Sequence, residues 1–213
     1  MKYKAKHYYQ NKDVAERYFG KRFKSLSGKL NHFIEKSFLK SAINQIEIKS
    51  ALDVACGTGR LTKELLSFNI ESVTGVDISK EMLSTAKEFC NNQANKARFE
   101  VSDATDLSFN KNEFDLVVSF RFLDHLPVEK KKDVICELGR CSKKHIVFTM
   151  ANINKMTSFA RKIRKYFNKN YYEGYLVDES EILLFLDSIN MKVIKQKLKF
   201  PFLSMETMYF CEV

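Results

Sequence analysis

Apolar residues recur along this chain at two spacings, and the spacing divides it into three stretches. Over 12–44 the interval is three to five residues: Val14, Tyr18, Phe23, Leu26, Leu30, Phe33, Ile34 and Phe38. That interval predicts helix, with these residues as its apolar stripe. Ser25-Leu-Ser-Gly28 predicts a break into two helices. From 51 to 150, short apolar runs alternate with amphipathic segments. The runs at 51–55, 72–77, 98–102, 114–120 and 145–150 predict strands. Between them, 60–67 predicts a helix with Leu61, Leu65 and Leu66 on one face. The segment 79–90 predicts another, capped by Ser79 with Glu81 in its first turn. Pro127 opens a third, through Val134, Ile135 and Leu138. Alternation at this interval implies βα units: a parallel sheet, doubly wound by right-handed crossovers, with helices on both faces.

After 150 the pattern changes. Lys155–Phe167 predicts a basic amphipathic helix, with Met156, Phe159, Ala160, Ile163 and Phe167 on one side. Arg161, Lys162, Arg164 and Lys165 lie on or near the other. A helix over 178–189 follows, then extended segments at 191–199 and 206–213 with no helix between them. Two such strands form a hairpin, so the sheet should end with an antiparallel strand.

Length and composition fit one folded domain: 213 residues, 45% hydrophobic and 29% charged. No run of about 18 uncharged apolar residues exists, which excludes a transmembrane helix. The first residues have no apolar run behind them, so no secretory signal is expected and the location should be cytoplasmic. The five cysteines (56, 90, 136, 141 and 211) are odd in number and lack zinc-knuckle spacing, so they read as reduced packing residues, with no metal site. The net charge of +10 is unevenly spread. Residues 1–40 hold 11 Lys and Arg against 3 acids, and 151–175 hold 6 against 1. The plain reading is a solvated lysine-rich surface. The sharper one is a basic entrance for an anionic substrate, nucleic acid or phospholipid.

The segment with the most chemistry is Leu52-Asp-Val-Ala-Cys-Gly-Thr-Gly-Arg60, joining the first strand of the α/β unit to its first helix. Gly57 and Gly59 allow a tight turn and the close approach of a ligand. In an open α/β sheet, ligands bind beyond the carboxyl ends of the strands near such a turn. Asp77 ends the second strand, where a carboxylate accepts both hydroxyls of a ribose. A dinucleotide and S-adenosylmethionine both fit this much. The dinucleotide pattern wants a third glycine where this chain has Thr62. Asp53 repels a pyrophosphate but suits the ammonium of a methionine moiety. Asp103, after the third strand, can accept from an adenine amino group. Each residue also has a plainer reading: the glycines as a simple turn, Asp77 as a helix cap, Asp103 as a turn residue.

Taken together, Asp53-Val-Ala-Cys-Gly-Thr-Gly59, Val73-Thr-Gly-Val-Asp-Ile-Ser79, Val101-Ser-Asp-Ala104 and Phe114-Asp-Leu-Val-Val-Ser-Phe120 resemble the class I S-adenosylmethionine-dependent methyltransferases, over about 49–150. The resemblance implies an α/β, doubly wound, Rossmann-like seven-stranded sheet, mostly parallel with an antiparallel last strand, plus an N-terminal helical cap. It divides one domain into a helical cap (1–48), a cofactor-binding core (49–151), a basic lid insertion (152–177) and a last helix with terminal hairpin (178–213). The cofactor would be S-adenosyl-L-methionine. Asp53, Gly57 and Gly59 would hold its methionine end, with Ala55 and Thr58 in the same turn; the commonest family pattern has glycine in place of Ala55. Asp77 would hold the ribose, with Ile78 and Met82 nearby. Asp103 and Ala104 would flank the adenine, and Phe120 would sit near the methionine end. Tyr18 and Arg22 would close over the site.

The reaction implied is in-line methyl displacement, in which the protein mainly positions the reactants. A base is needed only where the acceptor must lose a proton. His125, in Ser119-Phe-Arg-Phe-Leu-Asp-His125, is the candidate; its plainer reading is packing at a helix start. Arg121, Asp124 and Arg22 are candidates to orient the acceptor. The segment after the fourth strand lacks the prolines of amino-directed base methyltransferases and the Pro-Cys of cytosine C5 enzymes. Its Leu-Asp-His-Leu stretch resembles the small-molecule and lipid-quinone branch. The expected acceptor is a small molecule, anionic if the basic segments cover it. RNA, a membrane surface contacted peripherally, and a scaffold without turnover are the alternatives.

Overall fold

The computed structural model describes residues 26–44, 46–68, 70–153, 158, 166, 175–199 and 206–213. Its strands are β1 (Ser50–Val54), β2 (Ser72–Asp77), β3 (Ala97–Val101), β4 (Phe114–Ser119), β5 (Ser142–Ile153), β6 (Val177–Asp178), β7 (Lys192–Leu198) and β8 (Glu206–Glu212). Its helices are α1 (Leu26–Ile43), α2 (Arg60–Ser67), α3 (Lys80–Phe89), α4 (Val128–Cys141) and α5 (Glu179–Ser188).

Seven strands form one continuous sheet in the order β3-β2-β1-β4-β5-β8-β7, and the two-residue β6 pairs beside β5. β1 to β5 run parallel, while β8 runs antiparallel to both β5 and β7. The expected hairpin is therefore present, and the short β6 is an addition to the seven expected strands. β1 lies between β2 and β4, so the strand order reverses there. Ligands bind at that kind of switch point in open α/β sheets.

The period-2 alternation sends successive side chains to opposite faces. On one face Leu52, Val54, Val117, Ile146 and Phe148 pack with Val134, Ile135 and Leu138 of α4 and Ile182 and Leu186 of α5. On the other, Ala51, Val73, Leu116, Val118 and Val147 pack with Phe38, Leu39, Ala42 and Ile43 of α1 and Leu61, Leu65 and Leu66 of α2. Ser79 caps α3 as expected, its Oγ accepting from Met82 N at 3.2 Å. All five cysteines are free, and all but Cys136 are buried. No helix among the described residues is long and apolar enough to cross a membrane.

One expectation fails on α1. The helix begins at Leu26, with Ser27 and Gly28 inside it; Ser25 and the residues before it, where the expected break would be judged, lie outside the described residues. Leu26, Leu30 and Phe33 are 84%, 48% and 68% exposed. The face turned to the sheet carries Glu35, Phe38, Leu39, Ala42 and Ile43 instead. Those positions follow the i, i+3, i+4, i+7 row, which lies on the opposite side of the helix from Leu26 and Leu30.

Candidate active site

The turn after β1 winds through three left-handed residues: Ala55 (φ 58°), Gly57 (φ 55°) and Gly59 (φ 75°). Cys56 N donates to Val76 O at 2.9 Å and Gly59 N to Cys56 O at 3.1 Å, anchoring the turn against β2. The two glycines serve different ends. A Cβ on Gly59 would lie 2.9 Å from Ala86 Cβ, so this glycine lets α3 pack close. A Cβ on Gly57 would meet no atom of the described residues within 4 Å, so among them this one faces open space where a ligand can approach the backbone. Ala55 holds a left-handed conformation that costs an L-residue about 1–2 kcal/mol, which is why glycine suits that position.

Three carboxylates lie at or just beyond the ends of β1, β2 and β3. Asp53 is 2% exposed and accepts from Thr62 Oγ1 at 2.7 Å. Burial pushes its carboxyl up to about 7, against the Thr62 bond and the charge of Arg60. Thr62, which replaces the third glycine of a dinucleotide loop, is thus the partner of Asp53. Asp77 accepts from Gly57 N and Ser79 N, each at 2.9 Å, so it holds the turn and the start of α3 together; burial raises its carboxyl too. Asp103 Oδ1 accepts from Thr105 N at 3.0 Å and Thr105 Oγ1 at 2.9 Å. The turn reading of Asp103 therefore holds, whereas the cap of α3 is Ser79 and Asp77 bonds that residue's N–H from outside the helix; Asp77 and Asp103 stand at the ends of successive strands. Thr58, Met82, Ala104 and Phe120 are buried, and Ile78 is half-buried.

Beyond β4 a second compartment opens. Arg121, Asp124 and His125 line a cavity of about 280 Å³ with Ser27, Gly28 and Asn31 of α1, Lys199 and Glu206. Arg121 is left-handed (φ 59°), its N–H donating to Thr149 Oγ1 at 2.7 Å. Leu123–His125 is a single 3₁₀ turn leading to Pro127. Asp124 Oδ1 accepts from Ala151 N of β5. Burial and the facing Glu206 raise its carboxyl to about 6. Nearby Lys131 is buried and donates to Tyr175 O; burial lowers it to about 8, against Asp124.

The three residues expected after β4 thus share one wall. Tyr18, Arg22 and the basic helix with Arg161, Lys162, Arg164 and Lys165 lie outside the described residues. Sequence reasoning missed Glu35, Arg60, Lys199 and Glu206. For Glu35 a signal existed: it shares a helical row with Phe38, Leu39 and Ala42, a buried face where a carboxylate needs partners. Nothing in the sequence pairs Lys199 with residues 164 positions earlier.

Residues 51–145 match the family model of the methyltransferase domain. A ubiquinone biosynthesis O-methyltransferase of Coxiella burnetii is 33% identical over 98 residues, 45% of this chain and 42% of that protein. The match spans less than half the length of that curated relative. Among solved structures, the magnesium protoporphyrin IX methyltransferase of Synechocystis PCC 6803 with bound SAH superposes with a TM-score of 0.78 at 16% identity, over 98% of this chain and 97% of that one. An S-adenosylmethionine-dependent methyltransferase of Clostridium acetobutylicum gives 0.67 at 16% identity, over 85% and 91%. At these identities the structures speak to fold alone. The sheet order, the glycine turn and the methyltransferase domain matched over 51–145 agree, and together they support a class I S-adenosylmethionine-dependent methyltransferase.

Proposed function

We propose that this chain binds S-adenosylmethionine at the turn after β1 and moves its methyl group to an oxygen of a small acceptor in the cavity after β4. One observation carries the reading. Gly57 faces open space at the switch point of the sheet, between a buried carboxylate on β1 and a second at the end of β2. A ligand with an ammonium for Asp53 and paired hydroxyls for Asp77 suits that arrangement; a pyrophosphate does not. When bound, the cofactor supplies a methyl group already activated on a sulfonium.

The rest of the work falls to the chain. Gly57, Thr58 and Gly59 let the backbone approach, with Ala55 setting the turn's entry. Ile78 and Met82 would flank the ribose. Asp103 and Ala104 would border the adenine, and Phe120 would shield the methionine end from water. Arg121 and Asp124 would orient the acceptor, and His125 would take its hydroxyl proton. The curated relative is an O-methyltransferase, which supports oxygen as the receiving atom. The described wall sets the cations Arg121 and Lys199 against the carboxylates Asp124 and Glu206. That balance suits a polar acceptor and does not by itself require an anion. The basic segment that favours an anion lies outside the described residues.

Calorimetric titration tests the cofactor assignment, with S-adenosylmethionine, S-adenosylhomocysteine and NAD as separate ligands. Both adenosyl compounds should bind, NAD should not, and Asp77→Ala should abolish binding. Binding of NAD, or of none of the three, would overturn the reading. Cofactor binding without methyl transfer across a panel of hydroxylated small molecules would favour a scaffold.

A further inference from the structure

The start of α2, the turn after β4 and the end of the β7 segment converge on one buried carboxylate. Glu35 is 0% exposed. Its Oε1 accepts from Arg121 Nε at 2.5 Å and from Lys199 Nζ, and its Oε2 forms an ion pair with Arg60 Nη2 at 2.8 Å. Lys199 also reaches Glu206 Oε2 at 2.9 Å. Arg60 Nη1 meets His32 Nδ1, one turn before Glu35 on α1, at 2.5 Å. Burial opposes the charge on Glu35, but Arg60, Arg121 and Lys199 outweigh it and hold the carboxyl at about 2. A buried ion cluster gives little stability over apolar packing of equal volume, so stability alone does not account for it.

The residues it joins suggest a role. Arg60 directly follows Gly59 of the cofactor turn. Arg121 directly follows Phe120 and lines the acceptor cavity. Their backbones belong to different βα units, and Glu35 spans both.

We propose that Glu35 is a positioning residue that locks the cofactor turn and the acceptor cavity into one unit, so that order in one half is passed to the other. The proposal rests on the methyltransferase reading. Glu35 touches neither ligand; it acts through Arg60 on one side and Arg121 on the other. Coupling between two sites is reciprocal, so filling the glycine turn steadies the segment after β4.

The test uses S-adenosylhomocysteine as the probe, on the full chain. Glu35→Gln should weaken its binding about fivefold or more, the lower range of measured couplings. Arg60→Gln should weaken it similarly, and the double variant should bind no worse than either single one. Hydrogen exchange gives the second readout. The ligand should slow exchange at 120–126 in the wild type and not in Glu35→Gln. A structural role alone would lower thermal stability without moving either quantity. If Glu35→Gln does not fold, Glu35→Asp keeps the charge, shortens the reach and should show the same pattern at smaller size. Affinity within twofold of wild type in a folded variant, additive effects, or equal protection at 120–126 would each overturn the proposal. A wild type that does not bind the probe overturns the cofactor reading as well; a variant that binds as the wild type does overturns this inference alone.

Discussion

Lowering the pH from 7 to 5 should weaken binding of S-adenosylhomocysteine about fiftyfold, and Asp53→Asn should remove most of that dependence. Asp53 is 2% exposed, and burial moves its carboxyl from 3.8 to about 7. In the free protein about half of it is ionised at pH 7 and about 1% at pH 5, since each unit is a factor of ten. The ligand's ammonium stays charged across this range and favours the ionised carboxyl, so binding takes up the cost of ionising it. The ligand-free protein should show the opposite trend in stability. A carboxyl raised on folding binds more protons in the native state between pH 3.8 and 7, so stability falls as pH rises through that window. A shift of about three units corresponds to at most about 4 kcal/mol. Burial also raises Asp77, and burial with Glu206 raises Asp124, so only the difference between wild type and Asp53→Asn isolates this group. Calorimetric affinities at half-unit steps, with melting temperatures of the free protein, make the measurement. An affinity flat from pH 5 to 7, or the full wild-type slope surviving in Asp53→Asn, would refute the reasoning.

The two glycines of the turn should separate stability from binding. Gly59→Ala combines a positive φ with a 2.9 Å contact to Ala86 Cβ and should cost about 2–4 kcal/mol in denaturant unfolding. Gly57→Ala meets no neighbour among the described residues, so it should cost only about 1–2 kcal/mol from its positive φ while cutting cofactor affinity, as read by calorimetry. Ala55→Gly should raise stability by up to about 1 kcal/mol, because it relieves the left-handed conformation at φ 58°. Asp115 ties β4 to β1 by accepting from Lys49 N at 3.0 Å and Ser50 N at 2.9 Å, and it pairs with Lys143. Asp115→Ala should therefore cost about 1–3 kcal/mol at pH 7 with cofactor affinity unchanged. Burial opposes its charge, but these donors hold its carboxyl at about 2, so the stability it adds is lost as pH falls below about 4 toward 2.

Much of the fold was legible because its signals are local. Short apolar runs marked β1 to β4, Ser79 marked the start of α3, and the absence of a helix between the last two strands marked the hairpin. The glycine turn and the acids at 53, 77 and 103 were legible for a related reason. Each sits at a strand end, and right-handed crossovers bring successive strand ends to one edge of the sheet. Periodicity records which side of an element is apolar; it does not say which side meets the sheet. On α1 that choice went to Phe38, Leu39 and Ala42, which left Leu26 and Phe33 exposed and carried Glu35 inside.

From the sequence alone came the parallel α/β architecture, the position of the glycine turn after β1 and the residues after β4. Those depend on spacing within single βα units. Tertiary structure alone decided that Glu35 gathers Arg60, Arg121 and Lys199 from three distant segments, and that Asp124 faces Glu206 across a cavity. It also decided that Asp53 titrates near neutrality, because a carboxyl's charge depends on the water packing removes and on the cations that replace it.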